Sequence, residues 1–571
     1  MKSEMRGSNT WIAIVLAITI QVAITAAVIL LVKTRGWDDG AITLAYSKTF
    51  AATGRIALTP ASEQVEGFST IAWFLINALV ALFRPSFDLA IAVSQGLTGL
   101  FFCLTAFQIW LLSQDLKFSK LTTFLVLTTY AALGSSLSEI ANGMEMSLLS
   151  FTGVGLVRSI YFRRSVLEAT IFGSVFLLTR FEAMVYYALI LAPLLYERRL
   201  RDFVFLSLIG VGVVGGTEAL RFQVFADLFP NTIHAKMHAP YHPDRLSSLA
   251  KSSFMSTLEV VKSTPLLFAS LIFILCTRYS CFLSSFHMRS ELSCKSLFLA
   301  SPLFGVIAFN SAIGINSGYT GRMQTLAFPF AFLLLGFWSE KLGLFRQKSQ
   351  RPYVITACIG TVLVSWLVSA RDPLAQAYLA IASRDPLAVF DVTPASYRLT
   401  GLAVDRVRKL TGREIISFLT PDVGGLSLCC SRVRVVDLGL LANRTLAQRG
   451  YGALEDVISA EKPELIEAHQ MWAATPRLYD LQSFSELYEP IIVNDTRMYI
   501  RRDVADELSS SGAARKCNLS EEGCLSLALV EHRYAPHETK DDDFEFLKRG
   551  YFVDLTARLE ERIWKSNATS N

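Results

Sequence analysis

Between residues 11 and 370 the chain is a succession of apolar runs, beginning with WIAIVLAITIQVAITAAVILLV (11–32); beyond 370 no run is long enough to cross a bilayer. A hydrocarbon core of about 30 Å takes roughly 20 apolar residues of helix, and every backbone group inside it must be satisfied within the segment or its neighbours. The first two thirds of the chain are thereby confined to a helical membrane fold, and the last third is released from it. The mean hydropathy of +0.40, with 52% hydrophobic and only 18% charged residues, fits a polytopic membrane protein. The net charge of +5 is spread in short clusters between apolar runs, which excludes a nucleic-acid-binding face. Lys2 and Arg6 ahead of the first run would suit a signal peptide, but so long an apolar stretch without a small-residue cleavage site reads as a retained anchor.

Candidate spans fall at 11–32, 88–112, 121–134, 144–160, 166–179, 182–196, 203–218, 264–277, 296–313, 323–339 and 352–370. The segment FSTIAWFLINALVALF (68–83) is too short, reaching about 24 Å as a helix. Charge decides its place. If 68–83 does not span, the loops 1–10, 113–120, 161–165, 197–202, 278–295 and 340–351 hold 16 Lys and Arg in 59 residues, against 12 in 120 on the other side. That bias puts the richer loops in the cytoplasm, and a spanning 68–83 would reverse it. The expected fold is a polytopic α-helical membrane protein of about eleven transmembrane helices over 1–370, multi-pass in the cell's inner (plasma) membrane. The N-terminus is cytoplasmic, the first outer loop is 33–87, and 68–83 lies along the outer surface.

Residues 371–571 carry strand-like runs at 414–419, 432–438, 489–494 and 498–502, alternating with helix-like stretches at 443–460 and 543–565, so an extracytoplasmic α/β domain is expected. Cys517 and Cys524 are spaced for a disulfide, whereas Cys103, Cys276, Cys281, Cys294 and Cys358 read as apolar fillers. Asn443, Asn494, Asn518 and Asn567 head N-x-S/T sequons.

The first outer loop contains DDGAITLAYSKTFAATGRIALTPASEQVEGFSTIAWFL (38–75), read as an amphipathic helix over 39–53, a Gly54-Arg55 turn and a Pro60 loop. Capping that helix accounts for one carboxylate of Asp38-Asp39. A second, adjacent carboxylate at the rim of a membrane groove suits a general base or a nucleophile. Cations are sparse outside, so Arg35, Arg180, Arg221, Lys236 and Arg322 at helix ends stand out; Arg180 and Arg322 sit in very short outer loops. Glu182, two residues from Arg180, reads as its structural partner. The histidines of HAKMHAPYH (234–242) recur every four residues, but Pro240 breaks the helix before the third, and no metal site is expected.

These residues carry a resemblance. DDGAITLAY, TGRIALTP, EQVEGFSTIAWFL, GMEMSLLS (143–150), LLTRFEAM (177–184), LFPNTIHAK (228–236) and GYTGRMQTLAFPF (318–330) resemble, in order and spacing, the motifs of GT-C class polyprenyl-phosphate-sugar-dependent glycosyltransferases. The pattern is most similar to the family of the terminal arabinofuranosyltransferase of mycobacterial cell walls, from which the chain departs at Gly40, Leu44, Ser69-Thr70-Ile71 and Phe181. The resemblance implies transfer of arabinofuranose or another pentose from a polyprenyl-phosphate donor to an extracytoplasmic glycan, in contact with membrane lipids and without a cofactor. On that pattern Asp38 would activate the acceptor hydroxyl and Asp39 would orient it. Arg180, Lys236 and Arg322 would hold the donor phosphate, and Glu66, Asn231, His234 and Arg35 would contact substrate. If donor and product share an anomeric configuration, Asp38 would instead be a nucleophile. DVGGLSLCC (422–430) and RVRVVDLGLLANRTLAQ (432–448) resemble the family's outer domain, where acceptor binding is expected, and His469 with Trp472 could form a sugar platform. The rival reading is a transporter or flippase of lipid-linked sugars. Such proteins place charge at the bilayer midplane and show internal repeats, whereas charge here collects at the outer ends of the runs.

Overall fold

The first apolar run, free of glycine and proline, forms one rod: α1 (Thr10–Ala27) continued by a wider π turn to Val32. The computed structural model describes residues 10–238, 290–313, 322–343, 351–369 and 392–521 (470 and 495 apart), with 524, 545 and 547–555. The expected span 264–277 and the expected boundary at 370 lie outside them.

Thirteen further helices fill the first 370 residues among those described. They are α2 (Asp39–Thr53), α3 (Ile71–Ala81), α4 (Phe87–Asp115), α5 (Lys120–Ala131), α6 (Gly134–Asn142), α7 (Met146–Arg158) and α8 (Val166–Thr179). There follow α9 (Ala183–Leu191, with a last turn Pro193–Tyr196), α10 (Leu200–Phe225), α11 (Asn231–Ala235), α12 (Ser290–Ile313), α13 (Ala327–Lys341) and α14 (Arg351–Ser369). Serine starts three of them: Ser86, Ser119 and Ser165 accept the N–H of Leu89, Thr122 and Glu168 at the heads of α4, α5 and α8. Among the described residues three helices are long and apolar enough to cross a membrane, Trp11–Val32, Phe87–Asp115 and Leu200–Phe225, or four if α5 and α6, bent by 42°, make one broken span.

Three local expectations change. Residues 135–143, between two apolar runs, were expected to be an outer loop, but Gly134–Asn142 form α6, every residue of which is buried. Tertiary bonds make that polar helix tolerable: the Gly134 N–H donates to Ser365 Oγ at 3.0 Å and Gln95 Nε2 to the Ala141 carbonyl at 3.0 Å. Helix α2, expected to be amphipathic, buries nearly all of its first three turns, Tyr46 included. The helix within 68–83 covers only 11 residues, about 16 Å and half a bilayer core, and exposes Leu75, Leu79, Leu82 and Phe83.

The last third is an α/β domain. Helix α15 (Pro394–Leu410) opens with a Thr393–Ser396 capping box and leads into a seven-stranded sheet of order β2-β1-β3-β5-β4-β7-β6. The strands are β1 (Ile416–Thr420), β2 (Val433–Asp437), β3 (Leu465–Ile466), β4 (Tyr488–Val493), β5 (Thr496–Arg501), β6 (Arg515–Asn518) and β7 (Tyr551–Asp554), and α16 (Gly424–Cys429) follows β1. β2, β1 and β3 are parallel; β3–β5, β4–β5 and β6–β7 are antiparallel. Strand β7 replaces residues 551–554 of the helix expected across 543–565, of which 556–565 lie outside the described residues: paired on both sides, Phe552 and Val553 are buried in the sheet. Cys517 pairs with Cys524, and adjacent Cys429 and Cys430 pair with each other.

The two halves share one core. Ala41, Leu44, Ala45 and Tyr46 of α2 pack in the same cluster as Val404, Phe418, Leu426 and Val433 of the sheet domain. Edge strand β2 is covered by the loop that follows α2, with Thr59 Oγ1 donating to the Val433 carbonyl at 2.7 Å and the Val435 N–H to Ser62 Oγ at 3.0 Å.

Candidate functional site

A cavity of about 120 Å³ opens where α2, the 67–70 segment, the start of α7 and the Arg322 turn converge, with Lys236 and Leu441 completing its wall. One water needs roughly 10–15 Å³ of such space, so the cavity admits a small polar group rather than a lipid chain. A second, mainly apolar groove adjoins it and shares Ser69 and Arg180, with Leu177, Leu178, Met184 and Val213 along its sides.

Asp39 and Glu145 are the two carboxylates that line the cavity, and Asp39 is the exposed one. Its side chain is 50% exposed and takes a hydrogen bond from Arg322 Nη1 at 3.0 Å. Lys236, at the C-terminal end of α11, lines the same wall. Burial, then the nearby Arg180 guanidinium, lower its ammonium to about 8 against the pull of Glu182. Arg180 is 3% exposed and bonds both Glu145 and Glu182. The expected Arg180–Glu182 partnership is present, with Glu145 as an additional partner. Two carboxylates more than balance Arg180, so the cations left to meet an anion are Lys236 and Arg322, the latter shared with Asp39.

Asp38 points elsewhere. It is 2% exposed, and its two carboxylate oxygens accept the N–H groups of Gly424 and Gly425, at 2.6 and 2.7 Å, at the start of α16. A Cβ on Gly424 would collide with Asp38, so the Gly-Gly pair is what lets the two backbones meet. Carboxyl ends of parallel strands at a switch in strand order are where α/β sheets take ligands; here the chain's own Asp38 occupies the end of β1. Burial, then the charge of Asp422, push its carboxyl up to about 8, against the two N–H groups. A separate close approach, to the end of α6, gives Gly40 a reason, since a Cβ there would strike the Asn142 carbonyl.

The other expected substrate contacts form part of the scaffold. Glu66 receives Arg221 through both carboxylate oxygens, at 2.5 and 3.2 Å. The Asn231 amide donates to the Leu440, Leu441 and Asn443 carbonyls at 3.3, 2.8 and 3.3 Å. It thereby clasps the loop that Asp437 folds by accepting the Gly439 and Ala442 N–H groups at 2.7 and 2.6 Å. His234 pairs with Asp227 at 3.1 Å, and Arg35 is buried away from the cavity wall. His469 is held by Glu467 at 2.8 Å and Asp422 at 3.4 Å, and Trp472 packs on the sheet core. No cluster of metal ligands occurs among the described residues. Several residues of the cavity wall were given no site role from sequence, among them Thr43, Thr70, Glu145 and Thr232. Only Glu145 carried a hint, as a charge at the head of an apolar run.

No known family model matches the chain, and no curated protein matches it.

Proposed function

We propose that the protein is a multi-pass membrane glycosyltransferase that moves a sugar from polyprenyl phosphate to an acceptor outside the cytoplasm. The observation that carries this reading is the Asp39–Arg322 pair at 3.0 Å, set beside Lys236 at the mouth of one cavity. A base and two cations on one wall suit displacement at a carbon bonded to phosphate. Asp39 takes the proton of the acceptor hydroxyl as its oxygen bonds to the anomeric carbon. The carbon–oxygen bond to phosphate breaks, and its electron pair passes to the phosphate oxygen beside Lys236 and Arg322. The adjoining apolar groove supports an amphiphilic donor, because a lipid phosphate needs an apolar channel next to its charged pocket.

In this reading Asp38 is a positioning residue. With both oxygens engaged by Gly424 and Gly425 it anchors the sheet domain to the head of α2, and so fixes the residue that follows it. The roles expected for the two carboxylates are thus exchanged, and Asp38 is not the nucleophile. Eleven spans, a cytoplasmic N-terminus, an outer sheet domain and a pentose donor belong to the same proposal, supported by the loop charges and the sequence motifs. Mass spectrometry of surface glycans with and without the gene tests it. Loss of one sugar residue from an envelope glycan is expected; an unchanged profile would count against the proposal.

A further inference from the structure

Three residues that line the cavity each carry a buried side-chain oxygen with no hydrogen-bond partner among the described residues: Thr70 Oγ1, Thr232 Oγ1 and Glu145 Oε2. Their residues are 4%, 7% and 0% exposed and come from three separate elements, the head of α3, α11 and the head of α7. Thr70 stands at a helix N-cap but its side chain caps nothing, and Glu145 spends only one oxygen on Arg180. Leaving a buried polar atom unmade is costly, and three of them around one cavity are best explained by a ligand that completes them.

The chemistry of the three atoms limits that ligand. A carboxylate only accepts hydrogen bonds, whereas a threonine hydroxyl both gives and accepts. The group against Glu145 must therefore donate, and an ionised phosphate there would meet repulsion. We infer that Thr70, Glu145 and Thr232 form a hydroxyl-recognition subsite for the sugar ring of the donor, separate from the phosphate position at Lys236 and Arg322. This inference rests on the glycosyltransferase reading and adds to it the residues that tell a glycosylated lipid from a bare one.

The test is binding to the purified full-length protein in nanodiscs. The probes are bare polyprenyl phosphate and polyprenyl phosphate carrying an arabinofuranosyl or, as a pyranose, a mannosyl group. Wild type should bind a glycosylated lipid more tightly than the bare one. In the shape-conserving double variant Thr70→Val/Thr232→Val that surplus should fall roughly 10-fold or more, with bare polyprenyl phosphate bound as before. An undiminished surplus, or an equal fall for both lipids, overturns the subsite while leaving the phosphate site standing. Wild type binding neither lipid overturns the reading of the cavity and the subsite with it.

Discussion

Replacing Asp38 and Asp39 by asparagine, one at a time, should give two unlike proteins. Asp39 is half exposed and pairs with Arg322 at 3.0 Å. An exposed pair of this kind is worth about 0–1 kcal/mol, so Asp39→Asn should fold normally. An amide has no useful basicity near neutral pH, and general-base catalysis is typically worth ~10²–10⁴-fold; the variant should lose at least about two orders of magnitude in turnover. Asp38 instead accepts two buried N–H groups, one on each oxygen. Asparagine offers one accepting atom and turns an NH2 towards the other N–H, leaving a buried donor unmade at a cost of about 1–3 kcal/mol. Asp38→Asn should therefore unfold at lower temperature and release the sheet domain to protease sooner, with a much smaller fall in turnover at low temperature. The assay is sugar transfer from a synthetic polyprenyl-phosphate sugar, run beside thermal unfolding on the same preparations. Near-normal turnover by Asp39→Asn, or an inactive Asp38→Asn of unchanged stability, would refute the assignment.

Three further outcomes are expected. Because the Lys236 ammonium is lowered to about 8, kcat/KM should fall as pH rises through that value; Lys236→Arg should carry the alkaline limb higher, and an unmoved limb would remove Lys236 from phosphate binding. Asp38 is raised from its ordinary 3.8 to about 8, so the folded state holds the proton more tightly; stability from this group is full below about pH 4 and is lost as pH rises through about 8. That slope should be absent from unfolding curves of Asp38→Asn. Reporters fused after residues 350 and 395 should read cytoplasmic and extracytoplasmic respectively, and the opposite pattern would reverse the orientation argued from loop charge.

Four sheet strands were legible because EIISFL, RVRVVDL, EPIIVN and MYIRR are short β-branched or apolar runs bounded by turns, and they became β1, β2, β4 and β5. The rods α1, α4 and α10 were legible for a similar reason, as long unbroken apolar stretches. Helix α6 was not, since its burial depends on partners such as Ser365, 231 residues away, rather than on its own pattern. Strand β7 was hidden likewise, because it forms only by pairing with β4 and β6. The two aspartates show the limit most clearly. Adjacent residues at a helix head point about 100° apart, and which of them meets the cavity was settled by glycines 386 and 387 residues downstream of Asp38. Glu145 reaches the site through Arg180, a pairing across 35 residues that neither motif contains alone.

The central claim is that the cavity holds the phosphate of a lipid donor, and an experimental structure with bound polyprenyl phosphate tests it most directly. The account predicts phosphate within hydrogen-bond reach of Lys236 and Arg322, with the chain entering the groove along Leu177, Met184 and Val213. Phosphate bound elsewhere, with Lys236 and Arg322 untouched, would contradict it.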